Sequence, residues 1–364
     1  MSGPSVVVVG AGIIGCTTAW RLAQGGAHVT VVDPDPSRAA AQVAAGMLAP
    51  ATEAQPGEPH VLGLHLMGAA RWPAFAEDLG TEAGVEVGFE RCGTLAVARD
   101  QADVAVLDHL ADLLAAAGER TERLGSRELR RREPALAPTV RAGLWAASDH
   151  QVDPRRCLLA LRTALSARGA TMLRDEVVGL DVGAARLASG RHLLADHIVV
   201  CAGWVSGRLL DLPIRPVKGQ ILRLGATRRS LLPRHVVRGL DVYLVARSSG
   251  EVVIGATTEE VGPDTTVTAG GVRTLLQEAW RLVPGIEDAP LLETAAGLRP
   301  ASPDGLPLVG TVADGLHVAT GHGRNGVLLA PLTADAVAER VVHGRFPDEV
   351  ADLSPARFAA VTAS

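Results

Sequence analysis

The stretch Ser5-Val-Val-Val-Val-Gly10-Ala-Gly12-Ile-Ile-Gly15 decides the fold of this chain. Its run of valines predicts a strand buried on both faces, as in parallel sheets. Gly10 permits a tight turn, Gly12 lets backbone amides approach a pyrophosphate, and Gly15 lets the following helix pack closely on the strand. The N-terminus of that helix offers partial positive charge to phosphates. The stretch therefore predicts a dinucleotide-binding unit, with a purely structural glycine turn as the alternative.

A second predicted strand, residues 28–32, ends at Asp33. Its carboxylate follows Gly15 by about 18 residues, at the spacing where the ribose hydroxyls of an adenine dinucleotide are accepted. An acid here, rather than an arginine, disfavours a 2′-phosphate and therefore NADP. The glycine pattern does not separate NAD from FAD, because both carry the same ADP half.

Two later segments, residues 197–201 and 316–320, are predicted as further buried strands, each followed by a glycine turn at Gly203 or Gly321. A helix over residues 333–342, closed by Gly344, follows the second of them. Ligands bind outside the carboxyl ends of parallel strands, so these strand ends are expected to converge on one long cofactor. NAD enzymes commonly complete their nucleotide domain in one block. A buried strand and glycine turn that recur after residue 300 favour an FAD-binding domain over an NAD-binding one.

Composition narrows the class of protein. The 364 residues carry 35 Lys and Arg against 40 Asp and Glu, a net charge of −5, and only 3% are aromatic. A pI near 6.1 and few rings argue against nucleic-acid binding, and a mean hydropathy of +0.20 excludes intrinsic disorder. No apolar run approaches the roughly 20 residues of a membrane span. The four cysteines form no CxxC pair, which fits a reduced cytoplasm.

The middle of the chain has a different organisation. Strands are predicted within residues 86–97, 217–224 and 242–255, with a hairpin turn at 247–250, and helices over 101–117 and 271–283. The Ala-rich residues 39–51 are a loop candidate. The chain is therefore predicted to be α/β, with a Rossmann-like FAD-binding domain and an interleaved α+β substrate domain built on a mainly antiparallel sheet. The FAD-binding domain takes residues 1–85, 144–212 and 300–364, and the substrate domain takes 86–143 and 213–299.

The order and spacing of these segments resemble the D-amino-acid oxidase superfamily of FAD enzymes and, within it, the glycine oxidases of thiamine biosynthesis. The resemblance covers nearly the whole chain. It is carried by residues 5–15, 44–50, 152–156, 216–220, 241–247, 254–258, 296–300, 303–305 and 321–331.

The resemblance implies which residues line the site. Arg299 is expected to anchor the substrate carboxylate and Tyr243 to form a second hydrogen-bonding wall, with Arg324 and Asp241 as further substrate-binding residues. The residues expected to contact FAD are Gly10, Ala11, Gly12, Ile13, Ile14, Gly15, Asp33, Ala44, Ala45, Gly46, Met47, Val177, Ala202, Gly203, Trp204, Arg299, His322, Gly323, Arg324, Asn325, Gly326, Val327 and Leu328. FAD is expected to bind non-covalently, because no cysteine lies near residues 303–305. No metal site is expected, because the histidines are scattered.

The implied reaction is the oxidative deamination of glycine or another small amino acid. Hydride passes to flavin N5, so no side-chain acid or base is required, and His322 is expected to have a structural or flavin-shaping role. The other substrate is O2, which reoxidises the flavin to give hydrogen peroxide, and the imine hydrolyses to glyoxylate and ammonia or passes to thiazole assembly. The alternatives are a sarcosine or D-amino-acid oxidase, or a dehydrogenase with another electron acceptor. The resemblance also suggests a cytoplasmic homotetramer.

Two residues depart from the glycine-oxidase pattern. Asp241 stands where such enzymes often carry histidine, and Gly323 where they carry a bulky aromatic residue. The missing ring enlarges the space beside the flavin, and the added carboxylate favours a cationic amine. Both departures bear on how strictly the site selects glycine.

Overall fold

The computed structural model describes residues 3–55 and 59–358. The predicted domain ranges also include residues 1, 2, 56–58 and 359–364, which lie outside the described residues. The strands are β1 (Ser5–Val9), β2 (His28–Val32), β3 (Met47–Leu48), β4 (Phe89–Glu90), β5 (Thr94–Ala98), β6 (Thr121–Gly125), β7 (Ala142–Ala146), β8 (His150–Val152), β9 (Thr171–Leu173), β10 (Val177–Asp181), β11 (Ala184–Leu187), β12 (His192–Leu194), β13 (His197–Val200), β14 (Arg215–Gly225), β15 (Val236–Arg238), β16 (Tyr243–Ala246), β17 (Glu251–Gly255), β18 (Leu291–Ala301), β19 (Leu308–Ala313) and β20 (Leu316–Thr320).

The α-helices are α1 (Ile13–Gln24), α2 (Pro59–Ala83), α3 (Gln101–Ala116), α4 (Ser126–Arg132), α5 (Pro154–Ala167), α6 (Val205–Leu210), α7 (Ala269–Leu282) and α8 (Gly326–His343). Short 3₁₀ helices cover Pro36–Arg38, Ala40–Gln42, Pro284–Asp288, Gly323–Asn325, Asp348–Leu353 and Pro355–Phe358. In the described ranges, no helix is long and apolar enough to cross a membrane.

The first sheet is built around the valines of β1. Within the described residues its strand order is β19-β20-β13-β1-β2-β9. β1 pairs in parallel with both β13 and β2, and β19 alone among these strands pairs antiparallel, with β20. Val6 to Val9 are at most 4% exposed, because α1, α2, α5 and α8 pack with this sheet in one core. The predicted parallel sheet with central valines is confirmed.

The second sheet is mainly antiparallel, as predicted. Its order among the described strands is β18-β14-β17-β16-β15-β5-β7-β6, and β15 pairs in parallel with β5. The long strands β14 and β18 run together from Arg215 opposite Ala301 to Leu224 opposite Leu291. Gly250 closes the predicted hairpin between β16 and β17, since its N–H donates to the Arg247 carbonyl at 2.9 Å. The fold is α/β with mixed sheets.

In the part of the sequence that the structure describes, the six-stranded first sheet and the eight-stranded second sheet draw on alternating parts of the chain. The first takes strands from residues 5–32, 171–173, 197–200 and 308–320, and the second from 94–146 and 215–301. The predicted boundaries at 143/144 and 299/300 fall within β7 and β18, which both belong to the second sheet. The division into two domains stays a prediction.

A buried cation links the segment before β3 to the second sheet. The Arg247 side chain is 4% exposed and donates from Nη2 to the Ala45 carbonyl at 3.0 Å and from Nη1 to the Val152 carbonyl at 3.2 Å. Its Nε bonds Glu251 at 3.1 Å, and Glu251 also accepts from the buried Arg223 at 2.7 Å. A buried charge of this kind is stable only when it is paired and hydrogen-bonded. Arg247 therefore fixes the position of residue 45 against the sheet.

Replacing this cation tests its contribution to stability. Arg247→Met should lower the free energy of unfolding by about 3 kcal/mol, because Glu251 and two carbonyls lose a buried donor. Urea unfolding monitored by circular dichroism measures the change. Arg123→Met is the matched control, since Arg123 is 55% exposed and pairs with Asp108 and Asp112 at the surface. It should change stability by less than about 0.5 kcal/mol. Equal losses in both variants would contradict the assignment.

Candidate active site

The glycine turn after β1 brings three strand ends together. Gly10 has φ of +104°, and its N–H donates to the Val32 carbonyl at 2.8 Å. A Cβ on Gly10 would lie 2.5 Å from the Cys201 carbonyl oxygen, so β13 approaches this turn closely. A Cβ on Gly15 would clash with the Gly10 carbonyl, which explains how tightly α1 packs on the turn.

The N-terminus of α1 faces open space. A Cβ on Gly12, which precedes α1, would meet only the Ala39 Cβ at 3.7 Å among the described residues. Asp33 stands beside this opening, with Oδ2 accepting from the Ala11 N–H at 2.7 Å and Oδ1 from the Asp35 N–H at 2.8 Å. A free helix end next to a half-buried carboxylate suits a pyrophosphate followed by a ribose. These residues fit the ADP half of FAD.

The other predicted cofactor segments lie along the same edge. Thr320, at the end of β20, donates to the Gly203 carbonyl at 2.8 Å, so residues 202–204 meet the end of β20. Val177 is 5% exposed and belongs to the core cluster that contains Val7, Val9 and Val32. Residues 44–47 lie between the sheets, where the Val152 N–H donates to the Gly46 carbonyl at 2.9 Å.

His322 is buried and uncharged. It is 2% exposed, its Nε2 lies 3.0 Å from the Thr333 hydroxyl, and its Nδ1 has no hydrogen-bond partner in the described part of the chain. Burial lowers the pKa of His322 to about 3, so the ring stays neutral at ordinary pH. The residue helps to hold the turn before α8, and it is not poised to exchange protons.

The turn that follows His322 leads into α8. A Cβ on Gly323 would meet nothing within 4 Å, so space is open beside this turn. Further on, the Trp72 indole donates to the Leu328 carbonyl at 3.0 Å and ties the first turn of α8 to α2. The amides of residues 326–328 lie at the N-terminus of an 18-residue helix, where partial positive charge is available.

Arg299 and Tyr243 lie on one face of the second sheet, and each is placed over a glycine. Sheet register puts Val217 opposite Arg299 and Gly255 opposite Tyr243. A Cβ on Gly219 would clash with the Arg299 guanidinium, and a Cβ on Gly255 would clash with the Tyr243 hydroxyl. Both side chains therefore extend across the sheet surface in room that these glycines leave.

A hydrogen bond positions the Arg299 guanidinium, and burial keeps the Tyr243 phenol protonated. Arg299 Nη1 donates to the Thr257 carbonyl at 3.1 Å. Burial raises the pKa of Tyr243 to about 12, although the nearby Arg299 acts in the opposite direction. The same sheet face meets Val43, directly before the predicted cofactor segment 44–47, because a Cβ on Gly297 would lie 3.1 Å from Val43 Cβ. The Arg299 guanidinium thus lies on the sheet face that Val43 approaches.

Sequence reasoning missed Glu53 and Arg238. Glu53 is 13% exposed, and its Oε2 lies 3.6 Å from Arg324 Nε while its Oε1 lies 3.9 Å from Arg238 Nε. Arg324 Nη2 also donates to the Glu53 carbonyl at 3.1 Å. Arg238 stands directly opposite Tyr243 in the sheet. This neighbourhood follows from the strand register, so the local sequence carries no signal for Arg238. Asp241 is exposed.

The turn that carries Glu53 is fixed by a buried acid. Asp149 is fully buried and accepts from the Ala51 N–H at 3.0 Å, the Thr52 N–H at 3.1 Å and the Thr52 hydroxyl at 2.6 Å. Burial raises the pKa of Asp149 to about 6 despite these donors. Within the described ranges, no group of three His, Cys, Asp or Glu side chains is arranged to hold a metal ion.

A glycine turn on a largely parallel sheet, beside a second sheet that presents an arginine, fits a dinucleotide-dependent class of oxidoreductase. Residues 5–340 match the model of the DAO family, described as FAD dependent oxidoreductase. The chain belongs to this family. It is 34% identical to the bifunctional protein ThiO/ThiG of Nostoc sp. over 93% of this chain and 52% of that protein, so it spans about half the length of that relative.

Two further relatives match along nearly their whole length. The chain is 33% identical to a putative thiamine biosynthesis oxidoreductase ThiO of Rhizobium etli, over 93% of this chain and 96% of that protein. Among solved structures, glycine oxidase from Geobacillus kaustophilus superposes with a TM-score of 0.90 at 31% identity, over 97% of this chain and 98% of that one. The family is thus shown independently by sequence and by fold.

Two glycine variants separate packing from cofactor binding. Gly12→Ala should fold normally, because its methyl group meets only ordinary contacts, yet it should weaken FAD binding at least about tenfold by filling the space in front of α1. Gly15→Ala should lower the free energy of unfolding by about 2 kcal/mol or more, because its methyl group meets backbone. Urea unfolding of the apoprotein and FAD titration by flavin fluorescence measure the two effects. Unchanged FAD affinity in Gly12→Ala would show that the phosphates bind elsewhere.

Proposed function

We propose that this chain is an FAD-dependent amino-acid oxidase that oxidises glycine in the thiazole branch of thiamine biosynthesis. Two electrons pass from glycine to the flavin, giving an imine that hydrolyses to glyoxylate and ammonia, and oxygen reoxidises the flavin and becomes hydrogen peroxide. The observation that carries the proposal is Arg299, a half-buried guanidinium on the sheet face that meets residues 43–47. The similarity to a glycine oxidase and to ThiO proteins supports the choice of substrate and pathway.

Arg299 binds the carboxylate of the amino acid. Its Nη1 is directed by the Thr257 carbonyl, which leaves further N–H donors for the substrate. A guanidinium fixes a carboxylate in one orientation, and each charge-assisted hydrogen bond contributes about 1.5 to 3 kcal/mol. Orientation of the α-carbon is the main task of the protein in this reaction.

FAD supplies the hydride acceptor, flavin N5. The residues of this chain need not transfer protons, because the amine reacts in its neutral form and can release its proton to water. The side chains agree with this requirement. His322, with a pKa of about 3, is neutral, and Tyr243, with a pKa of about 12, stays protonated. Tyr243 is therefore assigned to hydrogen bonding beside the substrate.

The residues proposed to hold FAD divide into three groups. The Gly10–Gly15 turn and Asp33 take the pyrophosphate and ribose, residues 44–47 and 202–204 run beside the dinucleotide, and the N-terminus of α8 takes the pyrimidine edge. Partial positive charge at that helix end stabilises negative charge on a reduced ring. Binding is proposed to be non-covalent. Burial raises the pKa of Cys92 and of Cys201 to about 12, so neither offers a thiolate.

A second candidate substrate class is favoured by Gly323. The open space at this turn admits an N-methyl group or a short side chain, as in sarcosine or small D-amino acids.

We further propose that the enzyme is a cytoplasmic homotetramer that passes its imine to a thiazole-forming enzyme. The alternative to an oxidase is a dehydrogenase that passes its electrons to an acceptor other than oxygen.

The decisive experiment is a peroxide assay with the FAD-loaded protein on glycine, sarcosine, D-alanine and D-proline. We expect peroxide release with glycine, and sarcosine as the next best substrate. Reduction by glycine without air, followed by slow reoxidation in air, would assign a dehydrogenase instead. Protein that binds no FAD, or bound flavin that none of the amines reduces, would overturn the proposal.

Arg299→Ala should raise KM for glycine about 30-fold or more, because the carboxylate loses its charge-assisted contact. FAD content, measured from flavin absorbance, should stay unchanged. Arg215→Ala is the matched control, because Arg215 lies on β14 and forms an ion pair with Glu260 at the surface. Wild-type KM in Arg299→Ala would show that another group binds the carboxylate.

A further inference from the structure

The segment after β17 is fastened to β14 by an unusually dense set of polar contacts. Lys218 and Gln220 are each 1% exposed, although both carry strongly polar groups. Lys218 Nζ lies 3.1 Å from Asp264 and 3.4 Å from Glu259. Taking an ammonium group out of water is costly unless acids pair with it, so this lysine commits residues 259–264 to one position.

The backbone follows the same path. The Lys218 N–H donates to the Glu259 carbonyl at 2.9 Å, and the Glu259 N–H donates back to Lys218 at 3.0 Å. Gln220 Nε2 donates to Glu259 Oε1 at 2.7 Å, and Gln220 Oε1 accepts from the Thr268 N–H at 2.9 Å. Residues 257–268 are therefore held along β14 at both ends.

Glu259 lies where these contacts meet residue 257. Its Oε1 accepts from the Thr257 hydroxyl at 2.5 Å, and that hydroxyl in turn accepts from the Gln220 N–H at 2.9 Å. The hydroxyl and the carbonyl of Thr257 belong to one residue, so fixing the hydroxyl restricts the direction of the carbonyl. That carbonyl accepts from Arg299 Nη1 at 3.1 Å, and the Lys218 carbonyl accepts from the same nitrogen at the longer distance of 3.5 Å.

We propose that Glu259 is a positioning residue for the carboxylate anchor and acts through Thr257 on Arg299. Glu259 does not touch the substrate. Its carboxylate sets the Thr257 carbonyl that orients the guanidinium, while Lys218 compensates its charge. The inference rests on the proposed function, because it takes Arg299 as the group that binds the substrate carboxylate.

The test compares anion binding with stability in three variants. Glu259→Ala should raise KM for glycine, and the Kd of acetate measured by the change in flavin absorbance, about tenfold each, with kcat changed less than about twofold. Glu259→Gln keeps an acceptor for Thr257 and should restore both values to within about threefold of wild type. Thr257→Val keeps the carbonyl but loses the hydroxyl, and should raise both values about fivefold. It provides the test if Glu259→Ala does not fold.

Glu260→Gln is the control, because Glu260 is the adjacent acid but is 64% exposed and pairs at the surface with Arg215. It should leave KM and the acetate Kd unchanged. A lowered melting temperature without any change in acetate Kd would show a merely structural role for Glu259 and overturn the inference. If Arg299→Ala also leaves the acetate Kd unchanged, the anchor itself is misassigned. If only Arg299→Ala changes it, the inference about Glu259 fails alone.

Discussion

One buried cation ties the second sheet to the chain segments around β3 and β8. Arg247 lies directly after β16, in the hairpin of the second sheet, and its guanidinium hydrogen-bonds the carbonyls of Ala45, just before β3, and Val152, at the end of β8. A buried guanidinium that lost these acceptors would leave its N–H groups unsatisfied, so the chain has few other arrangements of comparable energy. Residues 44–47 are thereby set against the face that carries Arg299 and Tyr243. Residues 44–47, the proposed flavin segment, and Arg299, the proposed substrate anchor, are thus held at a fixed separation, although they lie some 250 residues apart in the chain.

Much of the parallel core is visible in the sequence because its signals are local. The valines before Gly10, the acid at Asp33 and Gly344 after α8 each combine a residue type with a position that few alternatives satisfy. Helix α8 was predicted only from residue 333, whereas it begins at Gly326. Gly326 and Pro331 are poor helix formers, and burial of Val327 to Leu332 outweighs that preference. Helix α2 was not predicted. In the Ala-rich candidate loop, the 3₁₀ helix Ala40–Gln42 and the strand β3 are held by contacts with Arg155 and with β8.

The substrate side of the site was accessible only in part, because its contacts join strands that are distant in sequence. Arg299 and Tyr243 were predicted through the family resemblance that residues 296–300 and 241–247 help to carry, and not from the chemistry of their neighbours. Glu53 meets Arg238 and Arg324 only after the chain has folded, and the role of Glu259 depends on a buried lysine 41 positions away. Charge pairs of this kind have no periodicity, so sequence patterns do not announce them. They become apparent when sheet register places their strands side by side.

The glycines beneath Arg299 and Tyr243 bear on how the sequences of homologues are interpreted. Gly219 and Gly255 contribute no functional group, and a substitution at either could leave the surrounding core and the cofactor turn intact. A homologue with a larger residue at one of these positions would thus keep the family's overall shape while losing the room that its anchor or its phenol occupies. Such a gene would be assigned to the family by similarity and still encode a protein of altered or absent activity. On the proposed roles of Arg299 and Tyr243, these two positions are the ones to inspect when a diverged copy is compared with this chain.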